Sequence, residues 1–335
     1  MSNKTRLIAG TVIGLLLLAL VLVRVDLREM LNTLAAADYL YLLPALAAQM
    51  VFFVIKAIRW RYLFPSERRI PLGTLFSVTL IGYFGNQIVG ASSGELLRSL
   101  VLGQKGSWSK SATLGTIFVE HLWDILVLCL LLFGILWVLP LPPLVQTVAQ
   151  AGVLALVVGG LLVVLLLSRS EWATRMVGVI ANRLSAKLAQ RLIGMTERFA
   201  AGVRAMEEWS RSLLALALTV PMWLLLAVSF YFVGRASLIQ LGLSSYLFPM
   251  VVIALAASIP NPPWNVGMLE ILSITSLGVF GVSGSQALAF VVLLRAMRLV
   301  PIIWGYLLFS REGYGLRTQP QGTPQDGKTS LDAHG

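Results

Sequence analysis

The chain has 335 residues, of which 57% are hydrophobic and only 12% charged, and its mean hydropathy is +0.83. Soluble domains carry about 25% charged residues, so the composition excludes one and indicates an integral membrane protein that crosses the bilayer several times. The net charge of +11 does not indicate a nucleic-acid partner, because the basic residues are scattered through short loops, the pattern of the positive-inside rule.

In chain order, residues 7–23 form the first apolar run. The sequence that follows, Arg24-Val25-Asp26-Leu27-Arg28, offers no small-residue cleavage site, so the run is expected to be a retained helix rather than a signal peptide. Further runs at 39–55, 112–138, 148–167, 213–234 and 286–309 are each long enough, with tilt or a flanking extension, to cross a hydrocarbon core. Residues 168–212 interleave helix-period apolar residues with Arg175, Arg183, Lys187 and Arg191, a pattern that suits helices lying on an anionic leaflet and equally a connecting helical hairpin beneath the bundle. The Pro-, Gly- and polar-rich stretch 311–335 reads as a disordered tail.

Two apolar regions, 72–103 and 246–280, are interrupted. The first contains Gly85-Asn86-Gln87-Ile88-Val89-Gly90-Ala91-Ser92-Ser93-Gly94-Glu95, the second Pro260-Asn261-Pro262-Pro263-Trp264-Asn265-Val266-Gly267. Free backbone N–H and C=O groups in such breaks cannot face lipid. They are expected to line a cavity, which in transporters is the usual place of the substrate.

Treating both interrupted regions as re-entrant hairpins leaves six spanning helices and sorts the loops by charge. Of the 26 basic residues, 20 then fall on the side of both termini, the segments 56–71 and 104–111 and the insert 168–212; the opposite side holds Arg24, Arg28 and Arg235. The side richer in basic residues is therefore expected to be cytoplasmic. The predicted fold is all-α, a polytopic membrane helix bundle built as an inverted repeat. The first repeat is 1–140 with a cytoplasm-facing hairpin at 72–103, and the second is 141–310 with the insert 168–212 and an outward-facing hairpin at 246–280.

Ionisable residues at membrane depth are costly and raise a functional hypothesis. Glu95 and Arg98 lie three residues apart on the returning arm of the first hairpin; Glu120, His121 and Asp124 lie in the run 112–138. Glu270 lies on the returning arm of the second hairpin, and Arg295 and Arg298 lie in the last run. These groups can form a structural salt-bridge network among themselves, or bind an anion, since guanidinium groups suit bidentate phosphate contacts. Asn86, Glu95, Arg98, Glu120, Asp124, Glu270 and Arg295 are the candidate substrate-binding residues. His121 is either a hydrogen-bonded structural residue or a proton relay. No metal site is expected, because no second histidine or cysteine has ligand spacing. The single cysteine, Cys129, lies inside an apolar run and leaves no intramolecular disulfide.

The runs Gly85-Asn86 through Gly94-Glu95-Leu96-Leu97-Arg98 and Glu120-His121-Leu122-Trp123-Asp124, followed by Pro260 to Gly267, Glu270, Arg295, Pro301 and Gly305, resemble the flippase-like membrane domain family. That family includes the N-terminal transmembrane region of lysylphosphatidylglycerol synthases. The chain departs from its pattern at Gly90, where proline is usual, at His121, where arginine is usual, and at Pro262 to Asn265, which replace a glycine-rich turn.

The resemblance implies a transporter or flippase in the cell membrane that moves an anionic lipid or lipid-linked headgroup between leaflets, with membrane lipids as partners and no cofactor. A membrane enzyme, or an accessory scaffold in lipid or lipid-linked glycan biosynthesis, is the alternative. The sequence contains no Asp-x-Asp metal motif, and only about 25 residues follow the last run. An enzyme, or the synthases' aminoacyl-transferring domain, is therefore not expected. A lipid-biosynthetic partner enzyme is compatible with either reading.

Overall fold

The computed structural model describes residues 12, 14, 16–23, 25–65, 70–90, 93–105, 108–139, 141–168 (backbone alone beyond 159), 208–258 and 263–311. All regular structure among them is helical. The insert and the tail expected from the sequence fall largely on residues 169–207 and 312–335, outside the described residues.

Residues 16–23 are helical. Helix α1 (Leu27–Ala35) follows, started by Asp26, whose carboxylate accepts from the backbone N–H groups of Arg28 and Glu29 at 2.8 and 3.2 Å and so satisfies two donors that a helix start leaves open. Its Leu27 and Leu31 are exposed, as suits a short amphipathic helix at a membrane boundary. A 3-10 turn, Tyr39–Tyr41, leads into α2 (Leu42–Tyr62). Here the structure corrects the sequence boundary. Hydropathy ends the run at 55 and starts a cytoplasmic loop at 56, but α2 continues to Tyr62 and buries Arg59 completely. The helix continues because ion pairs inside the bundle compensate the charges on its last turns.

The first interrupted region is two helices, α3 (Leu72–Ile88) and α4 (Ser93–Gln104), which pack on each other. Gly90, at the break, has φ 73°, a left-handed conformation that glycine adopts without steric cost. The two arms approach closely because Gly82 and Gly85 face Gly94: a Cβ on Gly94 would strike the Gly82 carbonyl and the Asn86 side chain.

Helices α5 (Lys110–Val138) and α6 (Pro143–Ser168) follow, and α7 (Trp209–Ala236) resumes the described chain. The second interrupted region is α8 (Leu243–Ala257), a 3-10 turn at Pro263–Asn265 and α9 (Met268–Gly278); α10 (Gly284–Arg311) completes the bundle. Pro221, Pro249 and Pro301 lie inside helices, which a membrane bundle tolerates where neighbours re-satisfy the freed carbonyls.

Four helical segments, Tyr39–Tyr62, Lys110–Val138, Trp209–Ala236 and Gly284–Arg311, are long and apolar enough to cross a bilayer. Helices α4, α8 and α9, of 12, 15 and 11 residues, fall short of the roughly 20 residues that a crossing takes. At the centre, α2 runs against α7 in the most extensive helix contact of the bundle. Around this pair, α10 packs on α3 and α5 on α8, while α4 packs on α5 and α9 on α10. The main core is aromatic and aliphatic, with edge contacts such as Phe52 to Trp223 and Phe230 to Phe290 at 5.8 and 5.7 Å.

Candidate functional site

The ionisable residues of the bundle form two clusters and one cavity. The larger cluster joins α2, α4, α5 and α7. Arg59 on α2 grips Asp124 on α5 with both terminal nitrogens, Nη1 to Oδ1 at 2.5 Å and Nη2 to Oδ2 at 3.1 Å, and Nη1 also donates to the Thr219 hydroxyl on α7 at 3.0 Å. Trp223 Nε1 donates to the same Asp124 Oδ1 at 3.0 Å.

One turn earlier on α5, Glu120 takes three cations. Lys56 Nζ lies 2.5 Å and Arg59 Nη2 3.1 Å from Oε1, and Arg98 Nη2 donates to Oε2 at 2.6 Å. Glu120 and Arg59 are fully buried. Such charges persist only when geometry and additional hydrogen bonds offset their desolvation, which the bidentate contact, Thr219 and Trp223 supply. Arg98 also stacks its guanidinium 3.8 Å from the centre of the Trp60 ring, a face-on cation–π contact.

The i,i+3 spacing of Glu95 and Arg98 suggests a pair on one helix. The structure separates them: Arg98 turns to Glu120 on α5, and Glu95 Oε1 accepts from Asn86 Nδ2 at 3.1 Å and lies 3.4 Å from His121 Nε2. Asn86 also accepts from the Gly94 N–H at 2.7 Å, and the Ser93 hydroxyl donates to the Gly85 carbonyl at 2.7 Å. Asn86 therefore caps the start of α4 and holds Glu95 from the opposite arm of the hairpin.

The second cluster holds the second hairpin. Trp264 and Asn265 adopt φ 60° and 51°, an unusual conformation for a bulky side chain, tolerated only where surroundings enforce it. Arg295 on α10 enforces it: Nη1 donates to the Trp264 carbonyl at 2.7 Å, and Nε and Nη2 donate to Glu270 Oε1 at 2.9 and 2.6 Å. Glu270 Oε2 in turn accepts the Gly267 N–H at 2.8 Å, closing the N-terminus of α9. The rest of the break, residues 259–262, lies outside the described residues.

Between the clusters lies a cavity of about 220 Å³. Its polar lining comes from Gln49 and Lys56 on α2, Thr79, Tyr83, Asn86 and Gln87 on α3, Glu95 and Arg98 on α4, His121 on α5, Asn265 and Arg298. The turn Pro263–Asn265 packs against α3, so both breaks converge on one cavity. Of the candidate residues, Asn86, Glu95, Arg98 and His121 line it. Glu120 and Asp124 stand behind its wall, bound to cations that reach the lining, and Glu270 and Arg295 are engaged with the turn. Among the described residues, no group of three or more metal-ligating side chains comes together.

Sequence reasoning missed Lys56 and Arg59, which it placed in a loop, and the polar residues Gln49 and Thr219. A signal was present: Lys56 and Arg59 are three residues apart on one helix, opposite Glu120 and Asp124 four apart on another. The spacing of Arg295 and Arg298 put them on one face but did not say that only Arg298 reaches the cavity.

The chain finds no match among curated proteins or among solved structures. The family model of the lysylphosphatidylglycerol synthase TM region matches residues 7–305, a stretch that includes both interrupted hairpins, both charge clusters and every described residue lining the cavity. The protein is thus a membrane-embedded helical bundle belonging to the lysylphosphatidylglycerol synthase transmembrane-region family.

Proposed function

We propose that this protein moves a lipid with an anionic headgroup between the two leaflets of the cell membrane, the headgroup passing through the central cavity while the acyl chains stay in lipid. The observation that carries this reading is the cavity itself. It lies inside an apolar bundle, yet Lys56, Arg98, Arg298, Glu95 and His121 all face it, and polar groups at membrane depth mark substrate paths.

The helix pairings support an inverted repeat. The contact of α10 with α3 has its counterpart in that of α5 with α8, and α4 on α5 has its counterpart in α9 on α10. Two halves of opposite orientation that meet at a shared site are a common transporter design, in which one half rocks against the other. The short arms α4, α8 and α9 fit re-entrant hairpins. The excess of basic residues at both termini and in 168–212 orients the bundle with those segments in the cytoplasm. In this reading the protein transports rather than catalyses, and the enzyme that makes the lipid is its functional partner.

Purified protein reconstituted in liposomes with headgroup-neighbouring fluorescent phosphatidylglycerol tests the reading. Added dithionite bleaches only outer-leaflet dye. Protein-containing vesicles are expected to lose fluorescence well beyond the outer-leaflet half. Equal bleaching in protein-free and protein-containing vesicles, for every anionic lipid tried, would defeat the proposal.

A further inference from the structure

Among the described residues, every other cation at the cavity or in its wall has a carboxylate within ion-pair distance, but Arg298 has none. Lys56 and Arg98 meet Glu120, Arg59 meets Asp124 and Glu120, and Arg295 meets Glu270. Among the described residues, Arg298 lines the cavity with no ion pair and no hydrogen bond from its guanidinium.

Counting the cavity and the cluster behind it, Lys56, Arg59, Arg98 and Arg298 oppose Glu95, Glu120 and Asp124. Among these described charges one positive charge is left over, and it resides on Arg298. A guanidinium without an ion-pair partner inside an apolar bundle attracts an anion strongly, because low dielectric raises the gain from pairing and leaves an unpaired charge costly. Its planar fork matches two oxygens of a phosphate.

We infer that Arg298 is the anchor for the substrate's anionic group, and that the single surplus charge selects a phosphodiester, with one negative charge, over a phosphate monoester. A monoester carries about 1.5 to 2 negative charges at neutral pH and would leave the cavity with an uncompensated negative charge. This inference rests on the transport reading for the direction of travel, but the binding it asserts is measurable without transport. Phosphodiesters occur on lipids and on soluble molecules; the anchor recognises what they share.

The test measures binding of dioctanoyl phosphatidylglycerol to the purified full chain by calorimetry, beside dioctanoyl phosphatidic acid, dioctanoylglycerol and the deacylated glycerophosphodiester. Phosphatidylglycerol is expected to bind at least tenfold tighter than the phosphatidic acid and the uncharged dioctanoylglycerol. Binding of the deacylated compound at equal strength would assign the site to a soluble phosphodiester; much weaker binding assigns it to a lipid. Arg298→Gln should lower phosphatidylglycerol affinity at least tenfold, to the level of dioctanoylglycerol, and Arg298→Lys should recover part of it.

Glu95→Gln, which adds one positive charge to the cavity, should shift preference towards phosphatidic acid. This arm keeps the charge count testable if Arg298→Gln does not fold. Unchanged phosphatidylglycerol affinity in folded Arg298→Gln, or a wild-type preference for phosphatidic acid, would overturn the inference. If Arg298→Gln abolishes binding while wild-type protein moves no lipid in liposomes, the anchor stands and the transport reading falls. If lipid moves and Arg298→Gln binds normally, the reverse holds.

Discussion

Arg59 and Asp124 are 65 residues apart in sequence, yet they meet through two parallel N–H···O contacts at 2.5 and 3.1 Å in the interior of the bundle. Asp124 also accepts from Trp223 on α7, so one carboxylate ties together α2, α5 and α7. The pair fixes the wall against which the cavity is built.

Removing one partner of a buried pair strands the other charge, which costs roughly 3–5 kcal/mol. Arg59→Met should therefore lower the thermal midpoint of the detergent-solubilised protein sharply. Arg59→Met combined with Asp124→Leu should recover much of that loss, because no carboxylate then remains unpaired at that position. A double variant as unstable as Arg59→Met alone would show that Arg59 acts through something other than Asp124.

At the hairpin, glycine matters where the arms touch as well as at the left-handed break at Gly90. Gly94→Ala would push a methyl into the Gly82 carbonyl and the Asn86 side chain, with an overpacking cost of about 1–3 kcal/mol. Gly73, on the same hairpin, has open space where a methyl would sit, with nothing within 4 Å, so Gly73→Ala should be neutral or add up to about 1 kcal/mol through helix propensity. Thermal unfolding of the two variants side by side checks the contrast.

The turn at Trp264 and Asn265 depends on a planar donor. Arg295→Lys keeps the charge but loses the fork that reaches the Trp264 carbonyl and Glu270 together. With Cys129 replaced by serine, a cysteine placed at Asn265 should react with a maleimide several times faster when Arg295 is lysine than when it is arginine. Equal rates would mean that the turn holds its conformation without Arg295.

The proposed topology rests on the distribution of basic residues. Single cysteines at Ser185 and Ser244, again in a Cys129→Ser background, should label from opposite sides of the membrane in intact cells, with Ser185 reached only after permeabilisation. Labelling of both from outside would contradict the cytoplasmic placement of 168–212.

The break around Gly90 and the turn before Glu270 were legible in the sequence because glycine, proline and side-chain amides inside an apolar run are local signals that need no knowledge of neighbours. Glu95, Arg98, Glu120 and Asp124 also stood out as groups that need a partner, since few ionisable residues lie at membrane depth. The end of α2 was not legible. A run that meets Lys56 and Arg59 looks finished until the carboxylates opposite them are known, because only paired charges can stay inside a membrane bundle.

What the sequence by itself determined is therefore the class of the molecule, a membrane helix bundle with two interrupted hairpins, and which helix faces carry charge. Hydropathy and the 3.6-residue period are properties of one segment at a time. What only the tertiary structure decided is the pairing. Arg98 pairs with Glu120 rather than with Glu95, and Arg295 holds a turn while Arg298 faces the cavity. Spacing on a helix states which residues share a face. Which partner they meet depends on where neighbouring helices come close, and here small residues such as Gly82, Gly94 and Gly305 set that approach.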